Sequence, residues 1–136
     1  MKESIKLSVP LFVDIPRKTK KNKRVYFNLN VYRNLNFFTN NQVKSMFKDI
    51  VKRVLSSHTE PLSKISITYT LFRKDKRRSD ISNVLCIIDK FFCDAFVELG
   101  FIEDDDYTIL PEVNYRFGGI DKDNPRVEIE VKELQD

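Results

Sequence analysis

Between Ser79 and Leu99 the chain passes through Val84, Leu85, Ile87, Ile88, Phe91, Phe92, Ala95 and Phe96, a helix-length segment that is apolar almost all round. Such a helix is largely buried, which commits the chain to a layered fold around it. The few polar residues it carries must then be paired or functional. Gly100 follows directly and marks the end of the helix, since glycine tolerates the left-handed conformation that closes one.

The flanking segments supply the other layers. Residues 4–13 alternate apolar and polar until Pro10 intervenes, predicting a first strand at a sheet edge. A mobile basic loop is expected from Arg17 to Arg24, then a short strand over residues 25–32 and an asparagine-rich turn over residues 34–41. Thr39 or Asn40 is expected to cap a helix whose apolar stripe is Val43, Met46, Phe47, Ile50, Val51 and Val54, spaced to lie on a sheet. A turn over His58–Ser63 leads to a cleanly alternating strand, Ile65 to Phe72, and to a second basic loop, Arg73 to Arg78. After the long helix, Glu103 to Asp106 connect to a strand over about residues 107–117. Gly118, Gly119 and residues 121–125 then turn the chain into a last strand, residues 126–132, as an antiparallel hairpin. The expectation is one α+β domain over residues 1–136, a small mixed or antiparallel sheet with two main helices on one face.

At 136 residues the chain is long enough to bury a core without staples. Cys86 and Cys93 lie seven apart on the helix, about 10 Å of rise, too far for an undistorted disulfide, and are read as reduced. With His58 as the single histidine, a four-ligand zinc site cannot be assembled. No signal peptide or membrane-length apolar run is visible, so a cytoplasmic protein without membrane association is expected.

Charge is sorted along the chain. Residues 1–79 hold 19 Lys and Arg against 5 Asp and Glu, and residues 80–136 hold 5 against 15. A basic half attracts phosphates, and a carboxylate cluster beside it concentrates metal ions. On a helical projection with Asn83 at zero, Lys90 falls at about −20° and Asp94 at about 20°, so the three form one line. Asp89 falls at about −120° and is read as a solvated residue outside the set. Asp80 precedes the helix, where the dipole favours an anion and an N-cap is the ordinary role. Asp94 with Lys90 is equally an ordinary helix ion pair. The consecutive Asp104, Asp105 and Asp106 repel one another unless a cation neutralises them, and oxygen-only ligands suit Mg²⁺, or Mn²⁺.

The order Asp80-x-x-Asn83, then Lys90-x-x-x-Asp94-Ala-Phe, then Gly100-x-x-x-Asp104-Asp105 resembles the signature of the RusA family of Holliday-junction resolvases, small dimeric endonucleases of bacteria and phages. The resemblance covers about residues 77–110. In this chain Ser82 stands where the family has a second aspartate, and the interval from Asn83 to Lys90 is about one helical turn longer.

The resemblance implies an RusA-like fold and a Mg²⁺-dependent endonuclease that cuts four-way DNA junctions as a homodimer, without a nucleotide or organic cofactor. It implies that Asp80 and Asp105, with Asp104 beside them, hold the metal and that Lys90 faces the scissile phosphate. Ser82, Asn83 and Asp94 would orient those groups. DNA contacts are expected from Lys20, Lys21, Lys23 and Arg24 in the first basic loop and from Arg73, Lys74, Lys76, Arg77 and Arg78 in the second. Of the nearby aromatics Tyr26, Phe27, Tyr32, Phe37 and Phe38, most are expected in the core. The rival readings are a non-catalytic junction-binding protein, which the loss of a carboxylate at Ser82 favours, and a structural or regulatory phage protein whose acidic half binds a basic partner.

Overall fold

The computed structural model describes residues 4–55 and 60–135. Strand β1 (Ile5–Val9) stops at Pro10, which has no N–H to donate, and the chain restarts as β2 (Phe12–Ile15) in a different sheet. The single strand expected over residues 4–13 is therefore two. β2 pairs antiparallel with β3 (Lys23–Tyr26), and the first basic loop joins them.

The strand expected over residues 25–32 ends after Tyr26, because Asn28 caps a short helix α1 (Leu29–Arg33) by accepting from the Val31 N–H at 2.8 Å. Asn36, not Thr39 or Asn40, caps the next helix, α2 (Phe37–Val54), accepting from Thr39 N–H at 2.8 Å. The expected His58–Ser63 turn lies partly outside the described residues. Strand β4 (Ile65–Arg73), helix α3 (Ile81–Glu98), strand β5 (Glu112–Ile120) and strand β6 (Arg126–Glu133) complete the chain.

The four-stranded sheet has the order β1-β6-β4-β5, with β5 parallel to β4 and the other pairs antiparallel. The expected final hairpin does not form. β5 and β6 flank β4 on opposite sides, because α3 carries the chain back along β4 and delivers β5 parallel to it. The strand expected to begin at Tyr107 begins at Glu112, after a turn over residues 106–110.

One face of this sheet bears Leu7, Val9, Ile65, Ile67, Tyr69, Leu71, Val127, Ile129 and Val131, all buried. Against it lie Leu85, Ile88, Phe92 and Phe96 of α3 and Val43, Phe47 and Val51 of α2. Each fully buried Leu or Phe contributes about 1.5–3 kcal/mol, so this α+β layer carries the stability. The opposite face is polar and open. Lys6, Ser8, Thr68, Thr70, Arg116, Glu128 and Glu130 line a depression there of about 380 Å³.

α3 ends as the sequence implies. Gly100 sits at φ 84°, its N–H reaches Val97 O, and the Phe101 N–H reaches Phe96 O at 3.0 Å. Phe101 then stacks on Phe96 with ring centroids 4.7 Å apart, the hydrophobic contact that accompanies this closure. Among the described residues no helix is long and apolar enough to cross a membrane.

Candidate nucleic-acid interface

The two basic loops, about fifty residues apart in sequence, meet in space. Phe12, Arg24 and Tyr26 from the β2–β3 hairpin and Arg73, Lys74 and Arg77 from the β4–α3 loop line one cleft of about 400 Å³. Arg73, Lys76, Arg77, Arg78 and Ser79 line a second depression of about 350 Å³, whose other wall is Ile81, Phe117 and Ile120. Lys20, Lys21 and Lys23 are exposed but outside both depressions.

Arg24 is the most constrained of these cations. Its guanidinium donates to both Asp14 carboxylate oxygens, at 2.9 and 3.1 Å, and lies 3.9 Å over the Phe12 ring. The pair keeps Asp14 ionised, its pKa lowered chiefly by the Arg24 hydrogen bond. Arg73 is different. Its Nη1 donates to Ser79 Oγ at 2.5 Å, while its buried Nε–H has no acceptor among the described residues. A buried donor left without an acceptor is costly. Asp75, an acidic residue that charge counting passes over, also lines both depressions; its carboxylate accepts from the Arg77 N–H at 2.9 Å, which lowers its pKa.

Asp80 occupies the N-cap position of α3, exposed, and its side chain accepts no capping hydrogen bond. Ser82 beside it is exposed and Asn83 half-buried. Further along, Lys90 is exposed with its Nζ 5.9 Å from the Tyr32 ring centroid. Asp94 pairs with Lys44 of α2 at 3.4 Å, so the helix ion pair between Lys90 and Asp94 is replaced by one between helices.

Asp89 is not a free solvated residue but half-buried and hydrogen-bonded. It accepts from the Tyr69 hydroxyl at 2.6 Å, the Cys93 thiol at 3.3 Å and the Tyr115 hydroxyl at 3.4 Å. Tyr69 and Tyr115 are directly paired on β4 and β5, so one carboxylate fastens the helix to two strands. Burial, with the Asp89 charge nearby, pushes Tyr115 up to about 12 and Tyr69 well above its usual range. Being off the Asn83 line puts Asp89 against the sheet, half-buried. Cys93 is buried beside it and Cys86 half-buried, both free thiols.

The acidic turn stands at the far end of α3. Asp106 accepts from the Thr108 N–H and hydroxyl and so organises the turn over residues 106–110. Asp104 accepts from the Asp105 N–H at 2.8 Å. Partial burial raises the Asp105 pKa, as do its contact with Asp104 and the charges of Asp104 and Asp94.

The connections that bear Asp80 and Asp105 are fixed at opposite ends of β4. The Asp121 N–H donates to Arg73 O at 2.7 Å, which fixes the basic loop at the end of β4. The Ile65 N–H donates to Ile109 O at 2.7 Å, which fixes the acidic turn at its start. Among the described residues no group of three or more His, Cys, Asp or Glu side chains is arranged to hold a metal.

The expected aromatics divide. Phe27 is buried and Tyr32 half-buried, whereas Tyr26, Phe37 and Phe38 are exposed, Phe38 at 80%. Phe117 and Ile120, apolar yet exposed, had no sequence signal, because the two glycines after Phe117 read as a turn and not as strand. Comparison with known proteins finds no matching family model and no matching curated sequence.

Proposed function

We propose that this protein is a metal-dependent endonuclease that binds and cuts branched, four-way DNA. The observation that carries the reading is the meeting of two basic loops in one cleft, beside the Asp80-bearing start of α3. A four-way junction is recognised by backbone charge and shape, and Arg24, Arg73, Lys74 and Arg77 supply cations from two directions. Exposed Tyr26 at the same cleft offers a face for an unpaired base. The resemblance to junction resolvases supplies the reaction, phosphodiester hydrolysis with Mg²⁺, and the specific role of Lys90 beside the phosphate.

A second reading has its own support. Ser82 stands in place of a carboxylate, which favours a junction-binding protein without cleavage. Incubating the protein with a synthetic four-way junction in Mg²⁺ or Mn²⁺, beside a linear duplex, separates the two. Symmetric nicking of the junction is expected. Tight, salt-dependent binding with no nicking in either metal selects the second reading, and an affinity indifferent to salt overturns both.

A further inference from the structure

Phe37 and Phe38 open α2 with their rings in solvent, exposed at 74 and 80% and in edge contact with each other at 6.0 Å between centroids. A single exposed phenylalanine is ordinary surface, but two in contact make a patch that a partner can cover. The fold puts them on a particular corner. α2 runs alongside α3 in the same direction, because Lys44 pairs with Asp94 and Lys48, one turn on, pairs with Glu98. The first turn of α2 therefore comes level with residues 87–90 of α3. Phe37 stands seven residues before Lys44, about 20° short of two full turns, so it lies on the flank of α2 that meets α3.

One turn before Asp94, on the flank of α3 that meets α2, is Lys90, exposed and with its Nζ 5.9 Å from the centroid of the Tyr32 ring. Tyr32 belongs to α1 and leads into α2 through a turn in which the Leu35 N–H donates to Tyr32 O at 3.2 Å. Arg33, next in the chain, is exposed as well. Two bare rings and two cations thus share the corner where α1, α2 and α3 meet.

Charge says what covers the rings. Between Ile15 and Lys48 the chain has nine Lys and Arg and no Asp or Glu. The first turn of α2 accordingly holds no acid, which leaves the positive end of its helix dipole unopposed. On α3, Asp94 and Glu98 are already taken up by Lys44 and Lys48. Aromatic surface in a positive field suits a ligand that joins flat apolar faces to negative charge, as the bases and phosphates of unpaired DNA do. An uncharged apolar peptide gains nothing from the cations, and a fully paired duplex hides its base faces.

We propose that Phe37 and Phe38 are a stacking platform for unpaired bases, with Arg33 and Lys90 taking the phosphates beside them. The inference rests on the DNA-binding part of the reading above and not on cleavage. Arg24 and the Arg73–Arg78 loop hold paired arms by charge, and the aromatic corner responds to bases left unpaired where arms meet. That gives the protein a reason to prefer branched or gapped DNA to plain duplex.

Fluorescence anisotropy on three probes tests the platform. They are a linear duplex, a duplex interrupted by a short thymidine gap, and the same gap with abasic sites, which keeps the phosphates and removes the bases. Wild type should prefer the thymidine gap to the abasic one by roughly tenfold or more. Phe37→Ala/Phe38→Ala should erase that preference, bind linear duplex as wild type does and keep the wild-type thermal melt, since both rings are exposed. Phe37→Tyr/Phe38→Tyr retains the rings and should retain the preference. Arg33→Gln/Lys90→Gln should weaken both gapped probes alike and flatten their logarithmic salt dependence by about 1.4, at about 0.7 per phosphate contact on a single strand. An unchanged salt dependence there overturns the role of these two cations. A wild type that binds both gaps equally, or an alanine variant that keeps the preference, overturns the platform and leaves the rings to a protein partner, while the basic cleft stands on duplex affinity. An alanine variant that loses duplex and gap alike overturns the platform too. A wild type that binds none of the probes overturns the DNA reading with it.

Discussion

The two ends of α3 carry similar residues and treat them in opposite ways. At the C-terminal end the helix itself is closed and its own carboxylates are paired. Gly100 and Phe101 close the helix, Asp94 and Glu98 pair with Lys44 and Lys48, and Asp106 is tied to Thr108. At the N-terminal end Asp80 caps nothing, Arg73 Nε–H has no acceptor among the described residues, and four further cations of the Arg73–Arg78 loop line two open depressions with Arg24. Even there the contrast is local. Arg126 is held by Asp121 at 2.8 Å and Glu128 at 2.9 Å, and its guanidinium lies 4.1 Å over the Phe72 ring. Where the fold consumes its own charges it is building structure, and where it leaves them unmatched it offers them to something else.

Neutralising each end in turn is the strongest way to break that contrast. Arg73→Gln/Lys74→Gln/Arg77→Gln should lower affinity for four-way DNA at least tenfold. It should also flatten the logarithmic salt dependence by about 2.7, at about 0.9 per phosphate contact. Asp104→Asn/Asp105→Asn should leave binding equal or tighter, since removing negative charge favours a polyanion. Equal losses from both variants in a filter-binding salt series would erase the distinction between the ends.

The engaged end should show its cost in stability. Gly100 stands at φ 84°, and a Cβ there meets nothing within 4 Å, so Gly100→Ala isolates backbone strain from crowding. A side chain in the left-handed region costs about 1–2 kcal/mol, to be read from the urea midpoint. An unchanged midpoint would mean that the Phe96–Phe101 stack, and not the glycine, closes the helix.

Much of this architecture was legible because hydrophobic period and helix punctuation are local properties. The apolar α3, the alternation of β4 and the stripe of α2 each lie within a dozen or so residues, and Gly100 announces its own role. What was not legible is what non-local pairing decides. In a run containing Asn28, Asn34, Asn36, Asn40 and Asn41, any could cap, and only the packing of α1 and α2 selects Asn28 and Asn36. Gly118 and Gly119 look like a turn from their neighbours, yet they form the bulge of a strand whose partner lies some forty-five residues earlier. For the site, the projection grouped Asn83, Lys90 and Asp94 on one line, but it could not say what lay opposite each line. Lys44 meets Asp94, and two tyrosines meet Asp89. Nor does chain order reveal that the connections bearing Asp80 and Asp105 are fixed at opposite ends of β4.

The acidic turn also makes a prediction about pH. The folded chain holds Asp105 above its ordinary carboxylate pKa, through partial burial and the negative charges around it. The native state therefore binds this proton more readily than the unfolded chain does. That lowers stability as pH rises from the ordinary carboxylate value through the raised one, and the penalty is fully present above it. Asp105→Asn should be slightly more stable than wild type at pH 7, with the gap narrowing toward pH 4. A gap that widens on acidification would reverse the sign and place a cation, not carboxylates, against Asp105. Solvent exposure keeps the effect small.

The smallest expected effect is the most discriminating. Asp80 and Asn36 both hold N-cap positions, at the start of α3 and of α2, each with extended backbone. Asn36 accepts from Thr39 N–H at 2.8 Å, so Asn36→Ala should cost about 1 kcal/mol, the usual worth of a cap. Asp80 accepts no such bond, and Asp80→Ala forfeits only its interaction with the helix dipole, a few tenths of a kcal/mol at an exposed site. Stability that barely moves, combined with junction cleavage that vanishes, would mean that the Asp80 carboxylate is held ready for a ligand. A loss of about 1 kcal/mol would mean that it caps α3 in solution, and the open end of the helix would then be ordinary structure like the closed one.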